Sequence, residues 1–167
     1  LDQTHGFFNG SSVFLRVIGH EEAPCLIDIQ PPCGKEFKDW KVASALRPAR
    51  GEKNGAKLNG FGLYRADNYD ELIDHPVEMG RISFARFEAC GVPHEIAITG
   101  RHDCDLERLS RDLKRVCEWQ IRFFGEPAPM ARYVFLRTVV GEGYGGLEHR
   151  ASTALLCSRH DLPYQGM

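Results

Sequence analysis

Tyr133-Val134-Phe135-Leu136-Arg137-Thr138-Val139-Val140 runs directly into Gly141-Glu142-Gly143-Tyr144-Gly145-Gly146-Leu147-Glu148-His149-Arg150, and the reading of this junction decides the fold. The first stretch is the strongest strand signal in the chain, being almost wholly β-branched, aromatic or aliphatic. The second combines a glycine-rich turn with a Glu-His pair. Four glycines within six residues (Gly141, Gly143, Gly145, Gly146) allow positive φ and close approach to another backbone. If the residues after the turn run as an exposed sheet edge, their N–H and C=O groups can pair with an extended peptide by strand addition. Glu148 is then a carboxylate near one end of that peptide, able to hold a free amino terminus through a charge-assisted hydrogen bond. The competing reading is a glycine-rich hairpin with Glu148 and His149 exposed at its tip, and on these residues alone it is preferred.

Working outward, Ser152-Thr153-Ala154-Leu155-Leu156-Cys157 reads as one more strand after the glycine-rich loop. Upstream lies the clearest helix. Leu106, Leu109, Leu113, Val116, Cys117, Gln120, Ile121 and Phe124 recur at helical spacing and form one apolar stripe, broken only by Gln120. Asp103 or Asp105 can cap its start, Gly125 ends it, and Pro127 and Pro129 prevent continuation. Arg108, Arg111, Lys114, Arg115 and Arg122 alternate with Glu107, Asp112 and Glu118, which suits a solvated face rather than a nucleic-acid groove.

Earlier in the chain β-structure dominates. Ser12 to Ile18, Cys25 to Ile29, Trp40 to Ala43, Arg81 to Glu88 and His94 to Thr99 read as strands. In the fourth of these, Ile82, Phe84 and Phe87 are expected on the buried side. Residues 47–60 carry Pro48, Gly51, Asn54-Gly55 and Asn59-Gly60, and read as a polar loop or loose hairpin. Asn68 to Asp74 can form one or two helical turns before Pro76. Its acidic residues, Asp67, Asp70, Glu71 and Asp74, fit a short exposed helix at least as well as a cation site. His75 and His94, each beside a proline in a turn, read as hydrogen-bonded surface histidines.

The 167 residues, 43% hydrophobic and 26% charged, suit one ordinary globular domain or two small ones tightly joined. A net charge of -2 gives no electrostatic reason to expect nucleic acid or an anionic membrane as a partner. No apolar run approaches the roughly 20 residues that span a bilayer. None of the six cysteines, Cys25, Cys33, Cys90, Cys104, Cys117 and Cys157, forms a Cys-x-x-Cys pair. They read as reduced thiols, leaning towards a cytoplasmic location. A zinc site from Cys90, His94, His102 and Cys104 matches no common structural zinc spacing.

Tyr144-Gly145-Gly146-Leu147-Glu148-His149-Arg150 followed by Ser152-Thr153 closely resembles the M61 glycyl aminopeptidase family of zinc metallopeptidases. So do Leu1 to Gly10, Asn68 to Gly80, and Gly91-Val92-Pro93-His94-Glu95, so the resemblance runs over nearly the whole chain. It implies an α+β chain: a β-rich, sandwich-like part of an N-terminal domain over residues 1–90, then the leading α/β lobe of a thermolysin-like catalytic domain over residues 91–167. A PDZ domain often lies further on in the family. The Gly-Gly-x-Glu-His segment is similar to the Gly-x-Met-Glu-Asn segment of M1 aminopeptidases. By that likeness Gly145 and Gly146 line the peptide substrate and Glu148 binds its free amine. Tyr144 and His149 match the family motif as further substrate-binding candidates without an assigned role.

The resemblance also marks a departure. The family's zinc is held by a His-Glu-x-x-His helix and a further Glu, in which two His on one helical face bind the ion and the Glu activates water. Neither is present here, and His20-Glu21-Glu22 and His94-Glu95 lack a second His at that spacing. With no initiator Met either, the chain reads as an internal piece of a zinc aminopeptidase that acts on peptides with a free, small N-terminal residue such as Gly. The piece itself is expected to hold no catalytic residue and no zinc, to be inactive alone, and to self-associate through uncovered edges and faces. The alternative is a non-catalytic β-rich peptide-binding module. A third reading, a metal-independent hydrolase with Glu148 and His149 as acid and base, lacks a nucleophile in a recognisable elbow, since Cys157 and Ser158 have no Gly-x-Ser-x-Gly context.

Overall fold

A computed structural model describes residues 3–163. The chain divides into two compact units, Leu1–Ile82 and Ser83–Met167.

The first unit contains two three-stranded antiparallel sheets. One has β1 (His5–Phe8) and β3 (Lys41–Ala43) flanking β6 (Val77–Gly80); the other has β2 (Cys25–Ile29) and β4 (Arg47–Pro48) flanking β5 (Gly62–Ala66). Ile29, Tyr64 and Ala66 from one sheet and Val42 and Val77 from the other share a single core with Leu46, Ala56 and Leu72. The β-rich, sandwich-like reading of this part therefore holds. Helix α1 (Tyr69–Ile73) forms where expected, its start capped by the Asn68 side chain, which accepts from the Glu71 N–H at 2.8 Å. Asp67 and Glu71 are engaged by Arg47 at 2.7 and 3.1 Å, so these two carboxylates of the acidic group are ion-paired at the surface.

The stretch Ser12–Ile18 is not a strand. A single 3-10 turn (Gly10–Ser12) opens it and no regular structure follows. Phe14 alone reaches the core, edge-on to Phe8 at 5.7 Å, while Val13, Leu15, Val17 and Ile18 are exposed. Apolar composition marked it as β-prone, but no neighbouring strand offers it a ladder. Residues 47–60 are more ordered than a polar loop: Leu46, Ala49 and Ala56 are buried, and the Ala49 and Ala56 N–H groups both donate to the Leu63 carbonyl.

The second unit is one five-stranded mixed sheet with a helix. The strands are β7 (Ser83–Ala89), β8 (Val92–Thr99), β9 (Tyr133–Val140), β10 (Tyr144–Glu148) and β11 (Ser152–Ser158), in the order β10-β11-β9-β8-β7. β8, β9 and β11 are parallel, and the two edge strands are antiparallel to their neighbours. α2 (Leu106–Phe124) carries the chain from β8 to β9, the crossover that a parallel pair requires. Its N-cap is Asp105, which accepts from the Arg108 N–H at 3.0 Å. Leu106, Leu109 and Leu113 pack with Ile96, Ile98, Phe135 and Val139.

Three expectations change here. β7 and β8 are the two arms of one hairpin, paired from Ser83↔Ile98 to Ala89↔Val92. Its two-residue loop, Cys90-Gly91, has positive φ at both positions (47° and 74°), the type I′ geometry that tight hairpins favour. A division at residue 90 would cut that hairpin, and the compact units instead part at Ile82/Ser83. Within β7, Ala85 and Phe87 pack on the helix side. Phe84 lies on the opposite face, with the Arg86 guanidinium 5.9 Å from its ring centroid, because residues 84 and 87 cannot share a face in a period-2 strand. Finally, the apolar stripe of α2 is only half covered: Val116 and Phe124 are exposed, as are Trp119 and Phe123.

Candidate functional site

The residues read as turn or hairpin tip form β10 itself, at the outer edge of the sheet. It pairs antiparallel with β11 from Tyr144↔Cys157 to Glu148↔Thr153, in register. The His149 N–H donates to the Ser152 carbonyl at 2.9 Å, which makes His149/Ser152 a hydrogen-bonded pair. Alternation then gives the inward-bonded positions to Leu147 and Gly145. The N–H and C=O groups of Tyr144, Gly146 and Glu148 point away from β11, towards open space. The condition attached to the peptide-binding reading, an exposed edge, is thus met by the backbone.

Side-chain facing follows from register. Ile96, Phe135, Thr153 and Glu148 lie in one row across the sheet. Ile96 and Phe135 face α2, so Glu148, Gly146 and Tyr144 project on the helix side. Tyr144 is 95% exposed and Glu148 is also exposed. A Cβ on Gly146 would stand 3.2 Å from Leu155 Cδ2 and 3.3 Å from Glu148 Oε1. The missing side chain therefore keeps open the approach to the carboxylate. Gly145, on the other face, has Leu156 Cβ as its nearest neighbour at 3.9 Å, so space alone does not require glycine there. His149 is half-buried at the end of the strand.

Tyr133 is the residue that sequence reading missed. Its hydroxyl proton is held more tightly than usual, by burial first and then by Cys117 and Glu148. The Glu148 carboxylate makes the smallest contribution, acting across β11, which lies between β9 and β10. Only the order of the strands reveals this, because β10 loops out past β11 before the chain returns beside β9.

The other candidates are dispersed. His75 and His94 are buried, not surface histidines as expected. His94 Nδ1 lies 2.8 Å from the Val92 carbonyl, and its pKa is lowered by burial. His102 bonds Ser83 Oγ through Nε2 at 3.1 Å and accepts from the Cys104 N–H through Nδ1 at 3.2 Å. Cys90 approaches the Glu118 carbonyl, and Cys104 is packed in the apolar core. Among the described residues no three His, Cys, Asp or Glu side chains converge as metal ligands. These residues do not fit a zinc ion. All six cysteines are free thiols. No helix among the described residues is long and apolar enough to cross a membrane.

An edge strand, a glycine beside the carboxylate and the exposed carboxylate itself lie together on β10. Residues 1–81 match the family model described as the Peptidase M61 N-terminal domain, ending one residue short of the boundary of the first unit. The likeness to the M61 peptidase N-terminal domain is thus carried by the first unit of the chain. The whole chain is similar to a crystal structure of the aminopeptidase N family protein from Idiomarina loihiensis, with 44% identity and a TM-score of 0.90. The match covers 100% of this chain and 27% of that one, so the chain spans about a quarter of that protein's length. No curated protein matches.

Proposed function

We propose that this chain is the part of a zinc-dependent aminopeptidase that receives the substrate's amino terminus. Residues 1–82 would serve as the N-terminal β domain and residues 83–167 as the leading lobe of the catalytic domain. The observation that carries the reading is the free edge of β10, which presents the Gly146 N–H and C=O beside the accessible Glu148 carboxylate. A peptide laid along that edge would exchange main-chain hydrogen bonds with Tyr144, Gly146 and Glu148, as an added strand does. Glu148 would hold the terminal ammonium, a contact worth about 1.5–3 kcal/mol for a charged pair of partners. Gly145 and Gly146 let the peptide backbone lie close, and Tyr144 and His149 flank it. Substrates with small first residues such as Gly fit the M61 resemblance.

The 167 residues hold no His-Glu-x-x-His sequence, so water activation falls to residues outside them, and the chain alone should be inactive. The free thiols favour a cytoplasmic setting, and the open edge and the bare half of α2 favour self-association. The test uses the longer polypeptide that carries this sequence. Chelator-sensitive hydrolysis of Gly-initiated peptides, with N-acetylated versions refused, is expected there. Glu148→Gln should raise KM for free-amine peptides by roughly tenfold to a hundredfold. Equal hydrolysis of acetylated and free peptides would overturn the assignment. A stable monomer of the present chain that binds peptides, with no metal-binding sequence in the longer polypeptide, would favour the non-catalytic peptide-binding module.

A further inference from the structure

The outer edge of β10 presents two side chains on its helix side, and the function proposed above uses only one of them. Glu148 stands at the C-terminal end of that row, Gly146 offers no side chain, and Tyr144 stands at the other end. From Gly143 to Gly146, Tyr144 is the one residue with a side chain. It is 95% exposed, and among the described residues neither its ring nor its hydroxyl has a partner. An aromatic ring so placed on a strand edge gains from an apolar side chain laid directly across from it. The carboxylate and the ring are four residues apart, roughly 13 Å along the strand.

Given Glu148 as the holder of the peptide ammonium, on which this inference rests, direction and register follow. β10 ends at Glu148, and the His149 N–H pairs back onto the Ser152 carbonyl as the chain turns away. A peptide anchored there stays on the edge only by running towards Tyr144, antiparallel to β10. The outward N–H and C=O groups belong to Tyr144, Gly146 and Glu148, so the peptide residues opposite these form the hydrogen-bonded pairs. The first residue of the peptide then lies opposite Glu148, the third opposite Gly146 and the fifth opposite Tyr144. Opposed residues share a face, with Cβ atoms about 5 Å apart. The third side chain meets a glycine, and the second and fourth project on the other face. The fifth meets the Tyr144 ring. We propose that Tyr144 is a specificity-determining residue, which selects peptides of five or more residues carrying an aromatic side chain at the fifth position from a free amino terminus.

Calorimetric titration of the 167-residue chain with two Gly-initiated hexapeptide amides tests this. Both hold a single Phe among alanines, one at the fifth position and the other at the fourth. Their composition is the same, so a difference reports position alone. The fifth-position peptide should bind about three- to tenfold tighter. Tyr144→Ala should erase that preference and Tyr144→Phe should keep it. In the wild-type chain, nuclear Overhauser contacts should join the Tyr144 ring to the fifth-position ring. Equal affinity for the two peptides, or a preference that survives Tyr144→Ala, would overturn the proposal. N-acetylated copies of both peptides report on Glu148 separately. Weaker binding on acetylation with no positional preference removes the role of Tyr144 and leaves that of Glu148. Equal binding of free and acetylated peptides removes the Glu148 assignment and the register counted from it. No saturable binding of any of the peptides would overturn both.

Discussion

β9 and β10 belong to one sheet, stand two strands apart, and do opposite work. β9 is central, with Val134 0% and Leu136 1% exposed; β10 is peripheral, glycine-rich and open along one side. The apolar side chains of β9 fix its position by burial on both faces. β10 is held chiefly by its ladder to β11, and its backbone and its one carboxylate stay accessible. Well-buried central strands thus hold in place the edge proposed to take a peptide, and the difference separates residues that keep the fold from residues proposed to meet the ligand.

The largest expected effect tests the β9 side of that contrast. Leu136→Ala should cost about 2–5 kcal/mol through lost burial and the cavity left behind, read as a lower denaturation midpoint of the second unit. Glu148→Gln should leave stability within about 0.5 kcal/mol, as for an exposed position, while weakening free-amine peptide binding by roughly tenfold or more. If Glu148→Gln instead unfolded the chain, β10 would be a structural strand and the contrast would collapse. Next in size is the helix cap: Asp105→Ala removes the side chain that accepts from the Arg108 N–H and should cost about 1 kcal/mol without touching peptide binding.

The smallest effect is one of pH. Burial lowers the pKa of His94 and of His102. As pH falls below the ordinary His value of about 6.5, the unfolded chain takes up protons before the folded one. Stability should therefore be full above that pH and decline below it, levelling once pH has passed the lowered folded-state values. His94→Phe should flatten part of that decline in acid-denaturation curves. An unchanged slope would mean that His94 titrates no differently in the folded chain.

Much of this was legible in the sequence. β9 announced itself by composition, α2 by its repeat and by the Asp105 cap, and the four family-like stretches pointed to M61. Other features depend on partners that no local pattern names. Ser12–Ile18 has strand composition but no strand beside it. Val116 and Phe124 sit on the stripe yet lie past the part that the sheet covers. Four glycines suggested a turn at Gly141–Arg150, and only the ladder to β11 makes Tyr144–Glu148 a strand. The depth of His94 likewise arises from strand order, which non-local pairing sets.

The central claim is that β10 is an edge that recognises a free peptide terminus. Its most direct test is a nuclear magnetic resonance titration of the labelled chain with a short Gly-initiated peptide and its N-acetylated twin. The account predicts shifts and slowed amide exchange at Tyr144, Gly146 and Glu148, with a response at least several-fold weaker to the acetylated peptide. Equal responses to the two peptides, or shifts confined to residues away from β10, would contradict it.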